Sequence, residues 1–470
     1  MSEIKSNIGK SSEIKHSGKN MASYGFGKFL FEFLNMAFGS YVYFYYVGEI
    51  GLNIWFTGIG FVIYAIWNAL NDPLVGYLTN RPFKFTKKWG RRFPWILFGG
   101  IPYVVSYFLI FTPPNVDPQA GAWILFGWYV FTICLYDTFA SIFWVNFAGL
   151  FPDKFRSDKE RRKATGIQTP IGILGIALGA LIPPILVTFG DIQSYIIQGG
   201  AVVLIGLVIL VLTLPGCRED QEIIDNYLAK YDEQLKQESF IKTMTTVLKQ
   251  KNFLAFVISY FLYQTLTISL TASLPFVVRY VLKEEAFMQT IISAGLLIGA
   301  LFSIPLWVKL ARKTNDNRKV LLIAGIAMTV FTAPAIFVND AISLLITVIV
   351  WGLGFGGYWA ILWPVLGDVI DETVVNTGKR EEGVYTGVQA FFGRLAFAAQ
   401  GLIFAIVQTL TGFVEGAETQ NPLAVWGIHV HFGLVPMIIM CFSVLIFWKF
   451  YNLTPDRVKE IKDKLIEIGL

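Results

Sequence analysis

Apolar runs long enough to cross a bilayer, about 20 residues each, recur along this chain and constrain its fold more than any other feature. We predict twelve such segments, at about 22–47, 52–79, 93–112, 122–151, 166–189, 195–215, 252–281, 287–309, 319–338, 342–366, 384–409 and 427–450. Only 15% of the 470 residues are charged, whereas a soluble domain has about 25%. The sequence therefore predicts an all-α polytopic membrane protein with twelve transmembrane helices in the lipid bilayer.

The loops between these segments alternate in charge. Loops 80–92, 152–165 and 310–319 are rich in Lys and Arg, whereas 113–121, 190–194, 338–341 and 410–425 contain neither; Arg279 and Lys283 are minor exceptions. Basic loops stay on the cytoplasmic side of a membrane. We therefore expect a multi-pass protein with both termini in the cytoplasm, and take the cell membrane as its default location.

A single long polar insertion divides the chain. Residues 216–251 have apolar positions at helical spacing and are predicted to form a cytoplasmic loop with a helix near the membrane surface. This gives an N-terminal tail (1–21), a six-helix bundle (22–215), the central loop (216–251), a second six-helix bundle (252–450) and a C-terminal tail (451–470).

The two bundles repeat each other weakly. The tetrapeptide TGIQ at 165–168, between segments four and five, matches TGVQ at 386–389, between segments ten and eleven. With equal topology in both halves, this favours a duplicated six-helix unit. Such an arrangement resembles the major facilitator fold, in which the solute site lies between two six-helix repeats near the middle of the membrane.

Five charged side chains fall inside the predicted spans: Lys28, Glu32, Asp72, Asp137 and Arg394. A charge at bilayer depth costs at least about 2.5–3.5 kcal/mol on insertion scales, so it usually faces a cavity and has a partner. The five sum to one surplus negative charge. We hypothesise that a bound Na+ or a proton on one acid balances it.

Each charge also has a purely structural interpretation. Lys28 lies near a helix end and can snorkel to the membrane surface, or pair with Glu32 four residues on. Asp137 can hold an interhelical hydrogen-bond network. Asp72 is different because Asn68 and Asn71 accompany it, a set of oxygens that suits a small hard cation or a proton.

Other residues in the spans predict solute contacts. Arg394 keeps its proton and therefore needs an anion, as counter-ion or ligand. Trp144 and Trp359 can stack on a sugar face, and Gln389 offers an amide, although a Trp in a span is usually interfacial or packed. No nucleophile–base pattern, P-loop or zinc spacing is present, and the three Cys are far apart. We thus expect no enzyme activity, no cofactor other than a coupling ion, and no nucleic-acid partner.

Several motifs resemble a known family. NDPLVGYLTNR (71–81) followed by WGRRFPWIL (89–97), together with LFPDKFRSDKERRKATG (150–166) and GDVIDETVVNTGKREEGVYTGVQAFFGR (367–394), resembles the glycoside–pentoside–hexuronide:cation symporters. The resemblance covers essentially the whole chain. It implies a major facilitator fold and cation-coupled transport of a sugar or glycoside.

The resemblance also implies site residues. The family's cation site uses two acids one turn apart in span two, beside an Asn. Asp72 and Asn71 match the second acid and the Asn, but Asn68 replaces the first acid. A site with fewer anionic ligands holds Na+ less tightly, so the replacement favours proton coupling, or no coupling.

The implied sugar site departs further from the family pattern. Lys28, Trp359 and Arg394 stand where the family has a Lys, a Trp and a Lys, but Phe29 and Trp144 stand where it has acids. Glu32 and Asp137 are candidates to replace those acids from neighbouring turns.

Three interpretations remain open at this stage. The first is a cation-coupled (H+ or Na+) symporter of a sugar, glycoside or sugar acid, monomeric and working by alternating access. Its cation site would hold Asp72, Asn68 and Asn71; its solute site would draw on Lys28, Glu32, Asp137, Trp144, Trp359, Gln389 and Arg394. The second is a symporter of lysophospholipids or other amphiphiles on the same fold. The third is a membrane receptor that does not transport.

Overall fold

A computed structural model describes residues 15–230, 240–377 and 382–467, and these contain twelve long helices. Parts of the expected N-terminal tail (1–14), central loop (231–239) and C-terminal tail (468–470) lie outside the described residues. The helices are α1 (Gly18–Phe44), α2 (Ile54–Thr79), α3 (Phe93–Ile110), α4 (Ala122–Lys154), α5 (Asp158–Leu186), α6 (Ile192–Cys217), α7 (Lys251–Phe276), α8 (Phe287–Thr314), α9 (Asn317–Thr332), α10 (Ala341–Thr377), α11 (Glu382–Leu410) and α12 (Pro422–Phe450).

Helices α2 to α12 are long and apolar enough to cross a membrane. Helix α1 is more polar because it contains Lys28, Glu32 and Asn35 and ends in tyrosines. We call the face where α1 begins and α12 ends the terminal face, and the opposite one the far face. The predicted all-α architecture of twelve spans is confirmed.

Some helices run beyond the predicted spans. Helix α5 begins at Asp158, eight residues before the expected start at 166, and its first turn is capped by Ser157, which accepts from the Glu160 N–H at 3.3 Å. Helix α10 continues to Thr377, past the expected end at 366. Both extensions are polar, so the apolar pattern that marks the bilayer does not reveal them.

Short polar side chains start several helices at the far face. Asn53 accepts from the Trp55 N–H (3.0 Å), Asp191 from Gln193 (3.0 Å) and Asn421 from Ala424 (2.9 Å). Each cap satisfies one of the N–H groups that a helix start leaves unpaired. The far-face connections are short, which holds neighbouring helices antiparallel.

The terminal face is tied together by charge. Arg92 Nε lies 2.8 Å from Asp153, and Lys154 donates to the carbonyl oxygens of Gly216 (2.7 Å) and Arg218 (2.8 Å). Within the central loop the structure describes two helices, Gln221–Lys230 and Phe240–Val247. The first packs on the basic loop after α2, where Tyr227 lies under the Arg91 guanidinium.

The halves meet along three helix pairs, α1 with α7, α2 with α11 and α5 with α8. Helices α2 and α11 approach closely at Gly58 and Gly401, where a Cβ on Gly401 would lie 3.0 Å from the Gly58 carbonyl oxygen and 2.9 Å from the Phe61 Cβ. Small residues allow this kind of close helix approach in membranes. The contact lies in the far half of the bilayer.

Loops seal the same side. The Gly416 N–H donates to the Val47 carbonyl oxygen at 3.0 Å, and Glu415 accepts from the Ile54 N–H at 3.1 Å. Both contacts join the first half to the second. The molecule is therefore closed at the far face.

Candidate functional site

Asp137 lies in the middle of α4 and is completely buried. Asn68 of α2 donates to Asp137 Oδ1 at 2.7 Å, and Asn71 Nδ2 lies 3.3 Å from Oδ2 and 3.4 Å from the Asp137 carbonyl oxygen. Arg394 of α11 approaches Oδ1 to 3.5 Å. Three helices from both halves therefore converge on one carboxylate.

Asp72 lies one turn further along α2 and is half-buried. It accepts a hydrogen bond from the Ser141 hydroxyl, and Ser141 lies one turn after Asp137 on α4. The two helices run in the same direction, so the pairs Asn68–Asp137 and Asp72–Ser141 lie one above the other. Carboxylate, amide and hydroxyl oxygens thus line one stretch of the α2–α4 interface.

The second half contributes Arg394 to the polar cluster that the first half forms with Asn68, Asn71, Asp72, Asp137 and Ser141. Arg394 interacts electrostatically with Tyr64, Asp72 and Asp137. Arginine stays protonated in proteins, so its charge is fixed. It links the polar centre of the first half to α11.

Lys28 and Glu32 of α1 extend the cluster. Glu32 interacts electrostatically with both Lys28 and Arg394. The Lys28 stem packs over Gly172 of α5, where a Cβ would lie 2.9 Å from its Cδ. With every group ionised, the five predicted charges lie in one network with a net charge of −1.

A cavity of about 260 Å³ lies between α1 and α5 of the first half and α7, α8 and α10 of the second. Its wall is mostly aliphatic and aromatic, with Trp351, Phe355 and Trp359 on one side. Wall hydroxyls such as Thr271 and Thr347 bond back to their own helices, at 3.0 and 2.7 Å. The cavity therefore presents chiefly carbon to a solute.

Two amides are polar exceptions in the wall, Asn35 and Gln264. Asn35 donates to the Phe31 carbonyl oxygen at 2.8 Å, which leaves its own amide oxygen as an acceptor. Trp359 lies in the same wall. An aromatic face beside two amides can hold a polar ring by stacking and hydrogen bonding.

Known proteins show the same organisation. A family model described as "MFS/sugar transport protein" matches residues 23–455. This chain belongs to that family. The resemblance to glycoside–pentoside–hexuronide:cation symporters is thereby confirmed.

Curated relatives of this family member differ in what they carry. The "Sodium-dependent lysophosphatidylcholine symporter 1-A" of Danio rerio is 23% identical, over 86% of this chain and 80% of the relative. The "Uncharacterized symporter YnaJ" of Bacillus subtilis is 24% identical (98% and 96% covered). The "Glucuronide carrier protein homolog" of Escherichia coli is 21% identical (89% and 88%). They support symport and leave the solute class open.

A solved structure supports the fold. The crystal structure of a D-xylose-proton symporter superposes with a TM-score of 0.65, covering 92% of this chain and 98% of its own, at 14% identity. At that identity the likeness shows the architecture alone. The chain is thus a transporter of the major facilitator fold, and its own residues must indicate the solute.

The predicted site residues of this family member lie in different parts of the structure. The predicted cation residues Asn68, Asn71 and Asp72 lie together in the cluster. Trp359 lines the cavity, whereas Lys28, Glu32, Asp137, Trp144, Gln389 and Arg394 do not.

Two of those residues lie in different surroundings. Trp144 stacks on Phe31 with ring centroids 4.0 Å apart. Gln389 is buried, and its side-chain nitrogen has no hydrogen-bond partner in the described residues. Their solute roles stay predictions.

Sequence reasoning missed Ser141 and Tyr64. Ser141 lies four residues after Asp137, and Tyr64 lies four residues before Asn68, so both lie one helical turn from a predicted charged or amide residue. That spacing was available in the sequence. The apolar cavity wall left no such signal, because its residues look like ordinary lipid-facing or packed positions.

Proposed function

We propose that this family member is a secondary active transporter that couples one monovalent cation, H+ or Na+, to symport of a glycoside by alternating access. The contact between Asp137 and Arg394 carries the proposal. It joins the two halves at 3.5 Å, in the buried polar centre of the molecule. A cation that enters this centre changes the interaction between the halves.

Charge balance supports coupling to a single cation. Three carboxylates and two basic groups leave one negative charge when all are ionised. An uncompensated charge at this depth costs at least about 2.5–3.5 kcal/mol. One Na+ or one proton removes it.

The ligand chemistry suits either ion. Asp72, Ser141 and Asn71 supply carboxylate, hydroxyl and amide oxygens, which hard cations prefer. The Asp72 carboxylate can equally take up a proton. In both cases neutralising Asp72 weakens its electrostatic attraction for Arg394. The second half therefore responds to cation binding.

The cavity indicates the solute. Trp359, Asn35 and Gln264 provide a stacking face and two amides for a sugar ring, and the remaining apolar wall suits the aglycone of a glycoside. A sugar acid fits less well, because no Lys or Arg of the described residues lines the cavity.

A second candidate solute is a lysophospholipid or similar amphiphile. The carbon-rich cavity wall specifically favours it, since an acyl chain needs apolar surface and few hydrogen bonds. One relative above is a lysophosphatidylcholine symporter by name. In this alternative, the charged network would face the headgroup.

The membrane location, orientation and oligomeric state of the protein are part of the proposal. The basic loops lie on the terminal face, so we propose from the positive-inside rule that both termini are cytoplasmic, with the cell membrane as the default location. The far face, closed in this structure, is then the outer one. Transport by one chain, as a monomer, requires no partner beyond lipid.

The test is charge movement by purified protein in liposomes on a solid-supported membrane. The solute panel contains neutral sugars, glycosides with apolar aglycones, sugar acids and lysophosphatidylcholine, with Na+ and pH varied independently. We expect a glycoside-dependent current that requires either Na+ or a proton gradient. Protein-free liposomes and the Asp72→Asn variant are the controls.

Each alternative outcome is informative. A current only with lysophosphatidylcholine replaces the glycoside with the amphiphile. Solute uptake without any dependence on Na+ or pH rejects cation coupling. If the protein is folded and reconstituted but no solute of the panel produces a current, the proposed solute classes are rejected.

A further inference from the structure

His431 is completely buried in a π-helical turn of α12, Val430–Leu434. Its Nδ1 lies 2.8 Å from the Ser273 hydroxyl of α7. Its ring centroid lies 4.3 Å from that of Phe404 on α11 and 5.7 Å from that of Phe276 on α7. Three helices of the second half therefore enclose this imidazole, mostly with aromatic rings.

The two ring nitrogens of His431 have different surroundings. The Ser273 hydroxyl that meets Nδ1 also lies 3.4 Å from the His431 carbonyl oxygen, so Nδ1–H can donate to the hydroxyl oxygen while the hydroxyl donates to the carbonyl. Nε2 has no hydrogen-bond partner among the described residues. Because a buried N–H without a partner is unfavourable, the hydrogen bonds assign the proton of the neutral ring to Nδ1. Nε2 is then an unused proton acceptor.

We propose that His431 is a proton-binding site of the second half, separate from the charged network, and that a proton bound there opens the far face. In the closed structure, an imidazolium would place a full charge and an unpaired Nε2–H among aromatic rings. The desolvation of that charge is costly, and a cation–π attraction to Phe404 offsets only part of it. Water can reach Nε2 when the helices separate, so the proton shifts the population toward the open state.

The rings that enclose His431 are also the ones on which the first half packs. Tyr43 of α1 meets Phe404 with centroids 5.0 Å apart, and Phe44 of α1 meets Phe276 at 4.8 Å, both edge to face. His431 is thus one ring away from the contact between the halves. A shift of either ring that admits water to Nε2 also loosens the contact with α1.

Charged and titratable groups around His431 do not compensate a proton in the closed state. His429 on the same helix acts on it electrostatically and is itself basic. Arg279, at the end of α7, is already paired with Glu49 at 2.7 Å, and Arg394 of α11 belongs to the central network. The turn after α9, APAI, contains no titratable side chain. No carboxylate of the described ranges forms an ion pair with His431, so its protonated form lacks a counter-ion there.

A purely structural role predicts something different. If His431 only fills space and bonds Ser273, its replacement changes stability, but the far face keeps its response to pH. His431→Gln separates the two roles, because the amide can still hydrogen-bond Ser273 but cannot take up a proton between pH 5 and 8. His429→Gln is the matched control, since it removes the other histidine of the same helix.

The experiment measures the opening of the far face directly, without solute or Na+. Spin labels are attached to cysteines at Gln119 of the first half and Asn339 of the second, which are exposed on far-face loops, in protein with Ser at its three native cysteines. Distances between the labels are recorded in nanodiscs at pH 8 and pH 5. We expect the ratio of open to closed molecules to rise at least about tenfold on acidification. His431→Gln should change it by less than about twofold, whereas His429→Gln should respond like the parent protein.

Other results overturn the proposal. Equal distance distributions at the two pH values in the parent protein mean that no proton controls the far face. A full pH response in His431→Gln assigns the effect to other groups, such as the carboxylates of the first half. If His431→Gln does not fold, the smaller His431→Asn carries the same expectation. The measurement contains no solute and leaves Asp72 intact, so failure of the proposed symport would not alter its outcome.

Discussion

Glu49 and Arg279 join the far ends of α1 and α7, the first helices of the two halves, through a buried ion pair of 2.7 Å. Each lies in a π-helical turn that continues its helix, Tyr45–Glu49 and Val277–Leu282. Glu49 also accepts from the Tyr195 hydroxyl (2.8 Å) and the Gly190 N–H (3.0 Å). Wide turns of this kind often mark functional positions, and here the two repeats meet through them.

Glu49→Gln should open the far face. Removing one partner of a buried ion pair costs about 3–5 kcal/mol, because the other charge is left uncompensated. We expect a cysteine placed in the cavity at Ser293 to react at least about tenfold faster with an impermeant maleimide from the far side. The background protein carries Ser at Cys134, Cys217 and Cys441.

Glu418→Gln is the matched control for this experiment, since Glu418 is an exposed acid of the same far-face loops. It should leave the labelling rate unchanged. An unchanged rate in Glu49→Gln as well would mean that the ion pair does not keep the face closed.

Gly401→Val should block transport without preventing insertion. The new side chain meets the Gly58 carbonyl oxygen and the Phe61 Cβ at about 3 Å, so α2 and α11 cannot approach and the far face cannot close. Uptake by reconstituted protein measures the effect. Gly387→Ala on the same helix meets no atom within 4 Å and should transport normally; normal uptake by Gly401→Val would contradict the role of this crossing.

Asp72→Asn should abolish cation-dependent uptake and spare folding. The amide keeps the size and the hydrogen bond with Ser141, but it cannot bind a proton or compensate a cation. Cation-driven accumulation is measured beside the thermal unfolding temperature. Coupled uptake at the wild-type level would show that Asp72 is not the cation residue.

Trp359→Ala should weaken glycoside transport while Trp363→Ala does not. Trp359 lines the cavity, whereas Trp363, one turn further along α10, is 54% exposed at the surface of the helix bundle. An aromatic contact contributes about 0.5–1.5 kcal/mol beyond the area it buries, so the half-saturating glycoside concentration should rise about three- to tenfold or more. Equal effects of the two substitutions would place the solute elsewhere.

The sequence predicted the helices well because a bilayer imposes length and apolarity on each span. It also predicted Asn68, Asn71 and Asp72 as a group, since residues three and four apart share a helix face. It did not predict that Asp137 meets Asn68. That contact depends on how α2 and α4 are aligned in space, which no local pattern records.

The sequence did not predict the cavity for a related reason. Its wall uses the same aliphatic and aromatic residues that face lipid or pack between helices, so composition does not separate the three environments. The start of α5 was missed because its first eight residues are polar and lie outside the apolar span. In both cases the apolar pattern that marks a span carries no signal for the feature.

The single surplus charge of the central network has an electrical consequence. Under the proposed coupling, a carrier loaded with its cation is neutral at its centre, whereas the empty carrier holds −1. A membrane potential therefore acts on the return of the empty carrier and hardly on the loaded step. With the inside negative, it drives that return toward the outside by up to about 2.3 kcal/mol per 100 mV, so voltage should speed turnover more than it changes the affinity for solute.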